Sequence, residues 1–193
     1  MDFLQCMDNF PWNRFATVYE TSSKCLKDPF IKIFKGDGEA SDYKFIIDRL
    51  EHQETLYRIT PWGLKFYICL LEEGDADRNS ILQNIKILFE AANYDCQVNT
   101  AMAYKPTKGN LAKAEIIKQK LFDDDFDGKM DTDFLKIFKS IDRNFMQIFI
   151  MEFIQQKKQL LEEYTSSTNS NISANATALI NSINNPKEYK FGK

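Results

Sequence analysis

EHQETLYRITPWGLKFYICLLEEG, residues 51–74, carries a polar elbow straight into a strongly apolar segment. Thr60 can serve as N-cap, and Pro61 fits the first helical position, where its missing N–H costs nothing. Trp62, Phe66, Tyr67, Leu70 and Leu71 follow at spacings of three and four, the mark of an apolar helical face. Gly74 stands where a left-handed C-terminal stop is expected. The stretch predicts one turn and one helix, and points to a packed helical protein whose work is binding.

Outward from this helix the same periodicity recurs, and no segment shows sustained period-two alternation. Helices are expected over residues 11–19, 22–35, 41–52, 61–73, 77–92, 111–122 and 132–164. Gly36 and Gly38 punctuate the second link, Gly74 the fourth, and Pro106 with Gly109 a longer connection. The first five helices alternate with short links, as a solenoid of antiparallel pairs requires. In the last, Phe134, Phe138, Ile141, Phe145 and Ile148 step by four and three, which predicts one long C-terminal helix facing the core or capping the stack. A coiled-coil seam is the lesser alternative for that stripe. The expected architecture is therefore all-α, a stack of antiparallel helix pairs in one domain over residues 1–164. Residues 165–193 open with TSSTNSNISANAT, too poor in apolar groups to hold a fold, and read as a flexible polar tail. A short helical patch at Ala178, Leu179, Ile180 and Ile183 could dock back before Pro186. The two glycosylation sequons at Asn171 and Asn175 follow from composition alone.

His52, Gln53, Thr55, Tyr57, Thr60 and Pro61, followed by Leu64 and Phe66, resemble the His-Gln-Gly-Thr-x-Tyr-x-x-Thr motif of small bacterial HEAT-repeat-like proteins. Trp12, Tyr19, Asp28-Pro29 and the run FIKIFKGD (residues 30–37) resemble that family's opening helix, proline-started second helix and glycine stop. Arg78 to Phe89 resembles its next helix, so the likeness covers about half the chain, roughly residues 12–94. It implies a HEAT-like, right-handed stack. It also implies protein binding, by an immunity protein that neutralises a bacterial toxin through direct contact. The motif's glycine is Glu54 here, and a glycine in an elbow often supplies positive φ or close backbone approach.

Composition narrows the function further. The 193 residues, 44% hydrophobic with sixteen Phe, are enough for one aromatic core. A net charge of −3 argues against general nucleic-acid binding, which relies on Lys and Arg at phosphates, and favours a basic partner. Cys6, Cys25, Cys69 and Cys96 are scattered without a CxxC pair, as expected of reduced thiols in a cytoplasmic protein. The opening MDFLQCMDNF is acidic where a secretory signal would be basic, and no run approaches a membrane span.

The sharpest chemical motif is FDDDFDGKMDTDF, residues 122–134. Asp123, Asp125 and Asp127 precede Gly128, Lys129, Met130 and Asp131 at the spacing of an EF-hand calcium loop, whose alternate carboxylates converge on one hard cation. Position twelve, the bidentate Glu of such loops, is Phe134, with Asp133 one place early. The plainer alternative is an acidic loop that caps the next helix. A calcium-responsive adaptor is thus a second reading; otherwise no cofactor is expected. His52 is the sole histidine and is expected to bond terminal carbonyls, so neither a His-rich zinc site nor a nucleophile with a histidine base can be assembled, and no enzyme is expected. Gly36 and Gly38 lack the third glycine of a dinucleotide loop, and the lysines at 105, 108, 113, 118 and 120, interrupted by Glu115, read as a solvated face. Candidate partner-binding residues are Glu51, Glu54, Tyr57, Trp62, Glu72, Glu73, Asp75 and Asp77: acids at helix links that could form one negative edge, with aromatic anchors among them.

Overall fold

The computed structural model describes residues 2–189, and the class is all-α. In chain order the helices are α1 (Phe3–Asn9), α2 (Lys27–Phe34), α3 (Ala40–Leu50), α4 (Thr60–Glu73) and α5 (Arg78–Ala101). They continue as α6 (Lys108–Leu121), α7 (Thr132–Ser140), α8 (Met146–Gln156), α9 (Lys158–Glu163) and α10 (Ser170–Asn184). A two-stranded hairpin, β1 (Glu51–His52) and β2 (Thr55–Leu56), joins α3 to α4.

Every residue of α4 from Thr60 to Leu71 is buried, so the helix is enclosed on all sides rather than on one face. Pro61 sits in its first turn as expected, but the cap is Ile59, not Thr60. The Thr60 hydroxyl instead donates to the Leu50 carbonyl and accepts from the Tyr57 N–H at 2.9 Å, tying the end of α3 to the start of α4. Gly63 lets these helices approach, since a Cβ there would collide with the Leu50 side chain. Gly74 is extended, with φ of −95°, rather than left-handed; a Cβ would press to 3.1 Å on the Leu70 carbonyl.

One charge lies inside this helix. Lys65 is 2% exposed, and its ammonium donates to the carbonyls of Leu121 at 3.0 Å and Asp123 at 2.6 Å, at the C-terminal end of α6. Burial holds its pKa below the ordinary lysine range. The site is favourable because carbonyls at a helix C-terminus lack internal donors and carry partial negative charge.

Packing converges on α4 and α5, with α5 contacting α3, α4, α8 and α10. Contacts between elements this far apart in sequence differ from those of a solenoid, where each repeat touches its neighbours. The aromatic core is continuous: Phe66 meets Phe3, Phe10, Trp12 and Phe30, while Trp62 meets Phe10, Phe126, Phe134 and Phe138.

Four expected elements differ. Residues 11–19 hold only a 3₁₀ turn at Trp12–Arg14, and the opening helix is α1, capped by the Asp2 side chain on the Gln5 N–H. Pro11 follows α1, and Trp12 turns inward to donate its indole N–H to the Met7 carbonyl at 2.8 Å. The long helix over 132–164 is interrupted at Ile141 and Asp142, both extended, and again at Lys157. Arg58 takes the carbonyls of Phe138 and Ile141, each at 2.8 Å, and the Asp142 carboxylate caps the next turn at the Asn144 N–H. In the tail, the helix begins at Ser170 rather than near Ala178; Asn169 caps it, and it seats Ala176, Leu179 and Ile180 in the core. The helix after Asp77 also runs nine residues past its expected end, to Ala101. The glycine stop of α2 is as expected: Gly36 has φ of 79°, and the N–H groups of Gly36 and Asp37 close on Ile33 and Lys32.

Lys65→Ala is expected to lose about 3 kcal/mol, since it opens a cavity and strands two carbonyls. Lys65→Met keeps the volume but not the donors and should lose about 1–2 kcal/mol. Urea denaturation midpoints at constant slope measure both.

Candidate functional site

In the hairpin, Glu51 pairs with Leu56 and His52 with Thr55. The two-residue link, Gln53-Glu54, has φ of 50° and 62°. Two successive left-handed residues are the signature of a type I′ turn, which normally selects Asn-Gly because side chains resist this region by roughly 1–2 kcal/mol per residue. Glu54 thus occupies a conformation that glycine would adopt freely. The Glu51 carboxylate offsets part of the cost by accepting the Glu54 N–H at 2.6 Å. Burial raises the Glu51 carboxyl pKa, opposed by that same bond. His52 is exposed and meets Tyr19, hydroxyl to Nδ1 at 3.4 Å, rather than terminal carbonyls.

Two clefts flank the hairpin. On one side Glu51, Glu54, Ile87, Glu90, Lys187 and Tyr189 line a cleft of about 270 Å³. On the other, β2, α5 and the start of α8 enclose a polar cleft of about 250 Å³ around Asp95, Asn99, Arg143, Asn144 and Gln147. Burial pushes the Asp95 carboxyl up to about 6; Arg143 opposes this, while Glu54 and Glu51 add to it. These acids therefore share one negative field. Gln147 is 3% exposed and lines this cleft. Arg143 donates to the Leu56 carbonyl through Nε at 3.2 Å and Nη2 at 3.0 Å, and lies 5.2 Å over the Tyr57 ring.

The structure brings Glu51 and Glu54 together but not the full expected edge. Tyr57 is half-buried beneath Arg143. Trp62 is fully buried against Phe126, Phe134 and Phe138, so it anchors the core and is no surface contact. Glu72, Glu73, Asp75 and Asp77 lie at the far end of α4, about 20 Å along a helix of this length. There Glu72 lies 3.6 Å from Lys157, and Asp77 caps α5 at the Asn79 N–H. Asp95, Asn99, Arg143 and Gln147 escaped the sequence reading. The first two lie one turn apart on the stretch of α5 beyond Ala92, and continued helical spacing was the only available signal.

In the acidic loop, the Asp123 carboxylate accepts the Asp125 N–H, and Asp127 accepts the Lys129 N–H and pairs with the Lys129 ammonium at 3.1 Å. Asp131 caps α7 at Phe134, and Lys120 takes the Lys129 carbonyl at 2.8 Å. Asp125 is exposed. Among the described residues no group of three or more His, Cys, Asp and Glu is disposed to hold a metal. Gly128, at φ of 87°, packs on the backbone of Cys6, where a Cβ would strike the carbonyl oxygen. The glycine of this loop therefore serves the contact with α1. Cys6 and Cys69 are pushed up to about 12 by burial, which keeps them as thiols, and all four cysteines are free.

Compared with family models, with curated proteins and with solved structures, the chain matches none. Among the described residues no helix is long and apolar enough to cross a membrane.

Glu54→Gly is expected to stabilise the fold by about 1 kcal/mol, relief of left-handed strain less the added freedom of the unfolded chain. A Tm rise of about 2–4 °C would register it. For Asp95, the folded carboxyl near 6 lies above its ordinary 3.8, so the folded state binds more protons between those values. Its contribution therefore falls as pH rises through this window. Asp95→Asn should be more stable than the parent at pH 7.5 by about 1 kcal/mol after solvent screening, with the difference gone by pH 4. Thermal melts at the two pH values read it directly.

Proposed function

We propose that this chain is a non-catalytic protein-binding module, and that its partner is a basic, toxin-like protein that it neutralises by direct contact in the cytoplasm. The hairpin tip carries the proposal: two left-handed non-glycine residues hold exposed Glu54 at the edge of the 51–56 ladder. Backbone strain of this kind concentrates at recognition sites, where the surrounding structure pays for it. Beside the tip lie Glu51 and Glu90, with Ile87 39% exposed and Tyr19 58% exposed. Acids around exposed apolar and aromatic groups suit a basic partner, since charge complementarity speeds encounter and apolar contacts then hold the complex. The resemblance of residues 52–66 to HEAT-repeat-like immunity proteins supports the same reading.

Co-expression with a basic toxin-like protein of the same host should rescue growth. Glu54→Lys, which leaves the Glu51 carboxylate on the residue-54 N–H, should abolish rescue while leaving the circular dichroism and Tm near those of the parent. Glu72→Lys with Asp75→Lys, at the other end of α4, should leave rescue intact. Full rescue by the hairpin variant would overturn the assignment of this face; absence of rescue by the parent chain would overturn the function.

A further inference from the structure

We infer that the cleft between the hairpin exit and the C-terminal end of α7 binds a phosphate monoester carried on a flat apolar group, such as an aromatic or nucleoside phosphate. Arg14, Arg58, Lys139 and Arg143 line this cleft of about 350 Å³, and Phe15 and Tyr57 give it an apolar wall. The site is separate from the acidic side of the hairpin and does not rest on the proposed protein partner.

The charge pattern is the first argument. The chain holds 28 acidic against 25 basic residues, yet none of these four cations forms an ion pair among the described residues. Asp142 is the acid nearest in sequence, and its carboxylate is engaged by the Tyr104 hydroxyl at 2.8 Å and the Asn144 N–H at 3.0 Å. Burial lowers the Arg58 pKa, and the charge of Arg143 lowers it further, with Asp142 opposing in part. Two guanidiniums that repel each other, facing a cleft with two more cations, form a field that an anion would relieve.

Donor geometry is the second. Arg58 spends one N–H on Phe138 and one on Ile141; Arg143 spends one from Nε and one from Nη2 on Leu56. A guanidinium has five N–H groups, so each retains three. The carbonyl bonds fix both planes in advance, which reduces the ordering cost of a ligand. Guanidinium forks match tetrahedral oxyanions, and the Thr21 hydroxyl lines the same cleft as a further donor. Structural clamping of the α7 terminus accounts for Arg58, and of β2 for Arg143. It leaves Arg14 and Lys139, both exposed, without a role. The cleft is too small for a nucleic-acid strand. A single phosphate on one ring system fits the volume and the apolar wall.

Titration calorimetry and thermal shift on the full chain, at constant ionic strength, test the assignment with adenosine monophosphate, O-phosphotyrosine, inorganic phosphate, adenosine and tyrosine as probes. At least one phosphate ester should bind and raise Tm more than inorganic phosphate does, with adenosine and tyrosine inert; which ester responds identifies the carrier. Arg14→Ala with Lys139→Ala, both surface changes, should weaken that binding at least tenfold without altering the Tm of the free protein. The inference is overturned if neither ester binds, if inorganic phosphate alone responds, if sodium chloride at equal ionic strength produces the same shift, or if the double variant binds as the parent does.

Discussion

A helix buried on every side imposes one demand on everything around it: each neighbour must supply an apolar face, and the single ammonium of Lys65 must find acceptors without meeting water. The Leu121 and Asp123 carbonyls answer the second demand because the terminus of α6 leaves them without helical donors. That one contact fixes where α6 ends relative to α4. It also fixes where the acidic loop begins, and Gly128 then brings the loop against α1 at Cys6. The first demand explains the aromatic content, since rings from α1, α2, α7 and the acidic loop all close on Trp62 and Phe66.

The same logic moves any interaction surface away from α4 to what it cannot bury, the hairpin that enters it. Arg58 and Arg143 lock this hairpin to the C-terminal half through backbone carbonyls more than eighty residues away in sequence or close to it. Such bonds lose little when side chains elsewhere change, because every residue offers a carbonyl. The hairpin tip can therefore carry strain at Gln53 and Glu54 without being freed from the body of the protein.

What could be read from the sequence follows from how local each cause is. Helix α4 was legible because Pro61 and the apolar spacing lie within the helix itself, and Gly36 marked the end of α2 for the same reason. The break at Ile141 was not, because its cause is Arg58, a residue in another element; the phenylalanine stripe runs across the break unbroken in register. Trp62 looked like an anchor because one face of α4 would ordinarily meet solvent, and only the full assembly shows that none does. The elbow was legible but its strand pairing around residues 53–54 escaped because no Asn or Gly announces a hairpin turn, and the first turns of α10 escaped because small polar residues precede the stripe of Ala176, Leu179 and Ile180. Of the candidate surface, Glu51 and Glu54 were visible as acids in an elbow. Asp95, Arg143 and Gln147 converge from two helical regions and could not be joined without the fold.

Arg143 ties these features together electrostatically. Its guanidinium restrains the rise of the Asp95 carboxyl on the polar side and depresses Arg58 on the basic side, so it feels both clefts while bonded to neither ligand group. An anion held on the basic side would neutralise part of that charge and leave Asp95 less stabilised as a carboxylate. By linkage, protonation or replacement of Asp95 would in turn alter the affinity for the anion by the same factor. Arg143 lines both clefts, and the Leu56 carbonyl that accepts from its Nε and Nη2 holds the guanidinium in place between them.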